Sequence, residues 1–306
     1  MGNITAWRIG WGLVAIGTAA AAAADNRTRE LVVVGDGTMP TSVAGVPARM
    51  RVLPDGFGAP VVGPALAARA GLKGGMFAVA FVIGPVRVPG ETAVTRIALG
   101  GAPVKRRVAW TPRDFAPRAD VVVGPGGMPD PVVRFQLRPR RAGEQAVALP
   151  MVGEGGLFGD RGGLFAQAPL GGSTVRLRFS LDLPRTLANA GAARALAEAH
   201  GGRLGDEAGA AVIGFGVARP VRRMRLARPF AVGPLATDAL DVRTADGGAS
   251  GLPEAGAAAD PNEVVVTAKG KRDRRRDTIT LGRDQLDRCS SITFDKPAKQ
   301  VRLSCL

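Results

Sequence analysis

The sequence predicts an all-β fold with minor α content, in which two similar β-rich lobes carry short helices. Its 306 residues exceed the ~150 typical of one domain, which favours two units. Glycine (43 residues) and proline (23) form about a fifth of the chain, as expected of short strands joined by many turns. Residues 48–55 also align without gaps to residues 175–182. Both segments alternate apolar and polar positions and end on an aspartate.

The N-terminal segment has the three regions of a secretory signal peptide. Arg8 precedes an apolar stretch over residues 9–23, and a run of alanines ends at Ala24. We expect cleavage after Ala24, which removes residues 1–24 and makes this an exported protein, periplasmic or secreted. The apolar stretch is shorter than the ~20 residues of a membrane-spanning helix, and no other segment reaches that length. The sequence therefore predicts no integral membrane span.

Each half of the chain continues in the same order after its aspartate. A short helix is predicted near residues 64–72 in the first half and 188–200 in the second, and the motif Ala-Ala-Arg-Ala occurs in both. Apolar runs that end in glycine at Gly124 and Gly282 then precede the last strands of each half. The repeated order indicates an internal duplication.

The duplication divides the chain into three parts after the signal segment. We predict an N-terminal lobe over residues 25–137, a connector over 138–171 and a C-terminal lobe over 172–306. The second lobe is longer because it contains a Gly/Ala/Pro-rich and basic insert at about 245–276, which is predicted to be a loop.

The two cysteines are predicted to form a disulfide. Cys289 and Cys305 bracket two short β-prone runs that flank a turn around Pro297, the midpoint between them. A hairpin that turns there places the cysteines opposite each other, as a cross-strand disulfide requires. Two buried thiols are the alternative, which an exported protein disfavours.

Composition excludes several classes of function. One histidine and two cysteines are too few for a zinc or haem site, so no metal or cofactor is expected. His200 ends the second predicted helix, where interaction with the helix dipole is favoured over catalysis. The net charge of +15 is spread along the chain without a nucleic-acid-binding motif, and aromatic residues are only 5%. Solvated surface charge is therefore favoured over a nucleic-acid partner.

The order of these elements resembles the retropepsin-like aspartic proteases, and in particular bacterial exported proteins that carry two such lobes in one chain. The helix at 64–72 is similar to the helix after the family's active turn, and residues 281–286 followed by 292–295 are similar to its closing pattern. The resemblance covers residues 29–137 and 172–306. It implies a six- or seven-stranded β lobe used twice around a pseudo-twofold axis.

The resemblance and the repeat offer Asp55 and Asp182 as the catalytic pair, one from each lobe. An aspartic protease needs two carboxyls that share one proton, each on a turn of the form Asp-Thr/Ser-Gly. Here the turns are Asp-Gly-Phe and Asp-Leu-Pro, so neither has the hydroxyl, and Pro184 replaces the second glycine. Arg185 is a candidate ion-pair partner that would hold Asp182 ionised.

These departures favour a catalytically degenerate protein that binds a peptide or protein partner in the cleft between its lobes. The alternative is an active aspartic endopeptidase that uses Asp55 and Asp182 as its acid and base. The sequence leaves the identity of the partner and the oligomeric state open.

Overall fold

The computed structural model describes residues 29–153, 163–246, 252 and 276–306. The predicted signal segment, 1–24, and most of the predicted insert at 245–276 lie outside the described residues. Strands dominate the structure and helices are few and short, so the predicted all-β class with minor α is confirmed.

The described part of the N-terminal half, which begins at residue 29, contains nine strands. They are β1 (Glu30–Val34), β2 (Thr38–Val43), β3 (Val46–Val52), β4 (Val61–Val62), β5 (Ala78–Ile83), β6 (Val86–Ile97), β7 (Val104–Trp110), β8 (Val121–Val123) and β9 (Val132–Gln136). Helix α1 (Pro64–Arg69) follows β4, and a 3-10 turn (Pro125–Gly127) follows β8.

The described part of the C-terminal half contains ten strands. They are β10 (Gln145–Gly153), β11 (Leu164–Leu170), β12 (Ser173–Phe179), β13 (Leu187–Ala188), β14 (Arg203–Gly214), β15 (Val217–Val232), β16 (Leu235–Arg243), β17 (Thr278–Leu281), β18 (Cys289–Asp295) and β19 (Gln300–Cys305). Helix α2 (Ala190–His200) follows β13, and the short helix α3 (Arg283–Leu286) follows β17.

The two halves repeat one strand order. A seven-stranded sheet has the order β2-β3-β8-β4-β7-β6-β5, and part of a twelve-stranded sheet has the order β11-β12-β17-β13-β16-β15-β14. The strand directions also agree, because β3–β8 and β12–β17 are parallel while β4–β8 and β13–β17 are antiparallel. Helices α1 and α2 follow equivalent strands. The division into lobes at residues 137 and 172 stays a prediction.

Five strands of the larger sheet join the halves, in the order β1-β9-β18-β19-β10. Strand β18 pairs with β9 of the N-terminal half, and β19 pairs with β10. Residues 138–171, predicted as a connector, contribute β10 and β11 to this sheet. Phe294 of β18 is fully buried against Phe135 of β9 and Phe179 of β12, so the joining strands share one core with both halves.

Helix α2 illustrates how local sequence sets an element's ends. The Asn189 side chain accepts a hydrogen bond from the Ala192 backbone N–H (2.9 Å), which caps the first turn. Gly201 ends the helix in the left-handed conformation at φ 66°, which glycine adopts without a Cβ clash. His200 Nδ1 lies 3.2 Å from the Arg228 carbonyl oxygen, and the ring packs edge-on against Phe230. The histidine thus has a structural place at the helix end.

The C-terminal hairpin is fastened covalently and by a buried carboxylate. Cys289 and Cys305 lie opposite each other on β18 and β19 and form a disulfide. Beside it, the buried Glu144 carboxylate accepts hydrogen bonds from four donors. These are Ser290 Oγ (2.5 Å), Ser304 Oγ (2.9 Å), Arg138 Nη1 (2.5 Å) and the Arg141 backbone N–H (2.9 Å). Glu144 therefore ties the segment before β10 to both strands of the hairpin.

This carboxylate predicts a loss of stability in acid. Burial alone would raise the pKa of Glu144, but the hydrogen bonds from Ser290, Arg141, Ser304 and Arg138 outweigh it and lower the pKa from 4.5 to about 2. A carboxyl whose folded pKa is below its unfolded pKa stabilises the fold above the unfolded value. That contribution should disappear as the pH falls from about 4.5 to about 2.

The test compares thermal unfolding midpoints of the parent, Glu144→Gln and the exposed control Glu198→Gln between pH 2 and pH 7. The gap between parent and Glu144→Gln should be largest near neutral pH and shrink below pH 4.5, while Glu198→Gln should follow the parent. A gap that does not change with pH would contradict the role assigned to Glu144.

Candidate functional site

The two aspartates of the repeat lie on equivalent turns. Asp55 comes after β3 and Asp182 comes after β12. The Leu53 N–H donates to the Val123 carbonyl oxygen (2.9 Å), and the Ser180 N–H donates to the Leu281 carbonyl oxygen (2.9 Å). An equivalent backbone hydrogen bond therefore joins each aspartate turn to a neighbouring strand. This strand is β8, followed by Gly124, in the first half and β17, followed by Gly282, in the second.

Those glycines allow the loops to approach closely. A Cβ on Gly124 would overlap the backbone of Gly56, in the turn after Asp55. A Cβ on Gly282 would lie 2.5 Å from the backbone carbon of Arg185, in the turn after Asp182. Only glycine fits at either position without moving the aspartate turn.

Two equivalent arginines cross between the halves and contact the opposite aspartate turn. Arg51 of β3 binds both carboxylate oxygens of Asp182, with Nη2 to Oδ1 at 3.1 Å and Nη1 to Oδ2 at 3.3 Å. Arg178 of β12 donates through Nη2 to the backbone carbonyl oxygen of Asp55. Each arginine stands four residues before the aspartate of its own half. The contacts are reciprocal, although only Arg51 binds a carboxylate directly.

The pKa of Asp55 is raised above its usual value. Burial is the largest cause, and the negative charge of Asp182 acts in the same direction. The positive charge of Arg178 and a hydrogen bond with the Ser180 side chain oppose the shift without cancelling it. The influence of Asp182 means that the two carboxyls are electrostatic neighbours across the contact between the halves.

Arg185 is not the partner of Asp182, which corrects the sequence prediction. Arg185 Nη1 binds Glu207 Oε1 (2.7 Å) and lies 3.9 Å from Asp241 Oδ1. Strands β14 and β16 place these acids beside the turn, while Arg51 reaches Asp182 from 131 positions earlier in the chain. The side chain of Ser180 is a further feature that the sequence did not single out, because the family's hydroxyl stands after the aspartate and Ser180 stands before it.

The turn of the β14–β15 hairpin inserts an aromatic side chain into the N-terminal half. Phe215 is 1% exposed, with ring centroids 4.6 Å from Phe81 and 5.0 Å from Phe115. Its backbone N–H donates to the Phe115 carbonyl oxygen (3.1 Å). Phe57, in the turn after Asp55, completes the cluster at 4.9 Å from Phe81. The hairpin turn thus closes over the site next to the first aspartate.

The turn of the β5–β6 hairpin, from the N-terminal half, contacts the C-terminal half in return. Gly84 lies against Asp246 and Arg219 of the C-terminal half, so that a Cβ there would overlap the Asp246 carboxylate. Asp246 also binds Arg243, whose Nε lies 2.7 Å from Asp246 Oδ2. The two hairpin turns therefore dock on opposite halves, one on aromatic rings and the other on an ion-pair cluster.

The residues that the structure describes hold neither a metal-binding cluster nor a membrane-spanning helix. Within residues 29–153, 163–246 and 276–306, no three His, Cys, Asp or Glu side chains gather in a way that could hold a metal ion. Across the same part of the chain, no helix is long and apolar enough to cross a membrane.

Comparison with known proteins finds likeness among solved structures, and it is partial. No protein-family model matches the chain, and no curated protein does. Among solved structures, the retroviral protease-like domain of Ddi1 from Leishmania major matches with 15% sequence identity, over 29% of this chain and 71% of that one. The TM-score is 0.22, and at that value the likeness carries no argument about activity.

Proposed function

We propose that this chain is an exported, catalytically inactive aspartic-protease-like protein that binds a peptide or protein partner between its two halves. The repeated strand order and the equivalent aspartate turns support the protease-like assignment. The signal-like sequence over residues 1–24 supports export, and a disulfide is compatible with it.

The observation that carries the loss of activity is the contact between Arg51 and Asp182. An aspartic dyad needs one carboxylate to take a proton from water while the other donates one to the scissile carbonyl. A guanidinium bound to both oxygens of Asp182 takes one acceptor site on each oxygen and competes there with the water and the substrate that this exchange requires. Arg51 is only 8% exposed and its Nε also donates to the Asp36 carbonyl oxygen (3.1 Å), so packing holds it in this position.

Strands at two sheet edges support peptide binding. In the described part of the chain, β5 is the outer strand of the seven-stranded sheet and β14 is the outer strand of the twelve-stranded sheet. Both belong to the hairpins whose turns meet the opposite half. An extended peptide can add to such an edge through backbone hydrogen bonds, with side chains directed into flanking pockets.

One observation favours the alternative, an active aspartic endopeptidase. The pKa of Asp55 is raised by burial and by the charge of Asp182, and a raised pKa on one of two neighbouring carboxyls is what an acid and base pair requires. Under this alternative Asp55 is the protonated partner, and Arg51 must release Asp182 before water is activated.

Cleavage of an unbiased peptide library distinguishes the two functions. The full chain, expressed with its export segment, is incubated with the library between pH 3 and pH 7, and the products are read by mass spectrometry. We expect no turnover above that of the Asp55→Asn and Asp182→Asn variants. The protein should nevertheless bind a subset of the library peptides without cleaving them. An active aspartic protease run in parallel shows that the library can be cut. Turnover that both substitutions abolish would establish the endopeptidase instead.

A further inference from the structure

The two edge strands carry the same motif at equivalent positions of the repeat. The pattern Ala-x-Ala-x-Val-Ile-Gly occurs at residues 78–84, in β5 and its turn, and at residues 208–214, in β14. The outward residues of β5, as they are named here, are Ala78, Ala80 and Val82. They are exposed, and so are the three equivalent residues of β14, with 61% exposure at Val82 and 60% at Val212. The repeat therefore offers two candidate edges for an added peptide.

The backbone of β5 presents hydrogen-bonding groups along its outer side. The register with β6 ends at Ile83 opposite Val86, which leaves a two-residue turn, and the pair that closes such a turn is hydrogen-bonded. Alternation then makes Ala80 and Pro89 a pair without hydrogen bonds, in keeping with the missing N–H of proline. The N–H and C=O groups of the three outward residues therefore point away from β6. Among the residues that the structure describes, no strand pairs with β5 on that side.

Strand β14 carries features that protect an exposed edge from pairing, and β5 lacks them. On β14, Asp206 and Glu207 are exposed charges and two glycines lie nearby. The register of β14 with β15 also shifts between Leu204 and Ala208. Charges and bulges at an edge oppose the addition of another strand, and glycine weakens a strand. Residues 76–83 contain no charged residue, glycine or proline, so β5 is the edge that is open to pairing.

The surface along this edge is apolar. Met76 and Phe77, directly before β5, are 94% and 43% exposed. The Thr92 hydroxyl donates to the Phe77 carbonyl oxygen (2.6 Å), which holds this residue beside β6 in line with the strand. Ala78 and Ala80 have small side chains, so larger side chains of an added strand have room to pack beside them. Apolar side chains therefore suit this edge better than charged ones, which would lose water there.

The size of the edge favours a peptide over a second copy of the chain. A six-residue strand is about 20 Å long and a sheet about 10 Å thick, so edge pairing covers roughly 200 Å² on each partner. Stable interfaces between proteins bury about 800 Å² on each partner, so this edge alone is too small to hold a dimer. A peptide that extends a sheet binds through backbone hydrogen bonds, and β5 offers the groups for them.

We propose that the partner is an extended, uncharged peptide with β-branched residues at alternate positions, which binds as an added strand along β5. This inference rests on the proposed peptide-binding function, and it adds the strand that binds and the chemical class of the ligand. β-Branched residues favour the extended conformation and pack well against side chains on the neighbouring strand. The equivalent edge of β14 stays unpaired.

The test measures fluorescence anisotropy of a labelled peptide with the full chain. The probe has the sequence Ser-Val-Thr-Val-Thr-Val-Ser and is capped at both ends. One comparison peptide carries N-methyl groups along both edges, which removes its backbone donors, and a second has Glu in place of each valine. We expect each comparison peptide to bind at least about fivefold more weakly than the probe, the factor that one net hydrogen bond implies.

Variants at equivalent positions of the two edges then locate the binding. Ala80→Pro removes an outward N–H of β5, and Val82→Lys places a charge on the same edge. Ala210→Pro and Val212→Lys make the same changes on β14. We expect both β5 variants to bind the probe at least about fivefold more weakly than the parent, and both β14 variants to bind it as the parent does. Thermal melts report on folding, and Val82→Lys, at an exposed position, keeps the test open if Ala80→Pro unfolds.

Each other outcome overturns the inference at a definite level. Equal binding of the Glu peptide would overturn the ligand class, and equal effects of the β5 and β14 variants would overturn the choice of strand. A parent dimer in sedimentation that Val82→Lys dissociates would place a second copy on β5 instead of a peptide. If the chain binds peptides from the unbiased library but not the probe, the inference fails and the proposed function stands. If it binds neither, both fail.

Discussion

Replacing Phe215 with alanine should lower the free energy of unfolding by about 3–5 kcal/mol, the range found for a large aromatic side chain removed from a core. Phe215 is 1% exposed and packs against Phe81 and Phe115, which belong to the other half of the chain. The substitution therefore removes contacts that hold the β14–β15 turn in place. Chemical denaturation of parent and variant measures the difference.

Val212→Ala is the matched control for that experiment. Val212 lies on the same hairpin but is 60% exposed, so its truncation should change stability by no more than about 0.5 kcal/mol. Hydrogen exchange should also become faster around the hairpin turn in Phe215→Ala and stay unchanged in Val212→Ala. If the two variants behave alike, the hairpin turn is not docked in solution.

Removing the disulfide by the double substitution Cys289→Ala and Cys305→Ala should cost about 3 kcal/mol. The cysteines are 16 positions apart, and closing a loop of that size restricts the unfolded chain by this amount in the chain-entropy model. Denaturant unfolding of the double variant should match that of the reduced parent. Mass spectrometry without reductant that finds two free thiols in the purified protein would contradict the prediction.

The local parts of the fold were accessible from the sequence. The helix predicted at 188–200 begins two residues later, at Ala190, because Asn189 caps it, and the helix predicted at 64–72 ends at Arg69. The register of the repeat was accessible because apolar residues recur at every second position of strands β3 and β12, and a gapless alignment preserves that pattern. These features depend on neighbouring residues.

The electrostatic partners were not accessible from the sequence. Arg51 reaches Asp182 across 131 positions, and Glu144 meets Ser290 across 146. No residue close in sequence to Asp182 or Glu144 indicates which distant residue will bind it. The sequence analysis therefore offered the nearby Arg185 as the partner of Asp182. The contacts of Phe215 were not predicted for the same reason, because the rings of Phe81 and Phe115 that it touches belong to the other half of the chain. Strand order decides such pairs, and strand order is set by the whole chain.

The position of the β18–β19 hairpin has a consequence for biogenesis. Its two strands lie between β9 and β10 in the joining sheet, although both are made long after them. Until the hairpin emerges, β9 and β10 each lack a neighbour on that side, and their edges are exposed to unwanted association. The contacts that complete the sheet are distant in sequence, so they form slowly. A chain with this topology cannot complete the joining sheet until its C-terminal hairpin has been made.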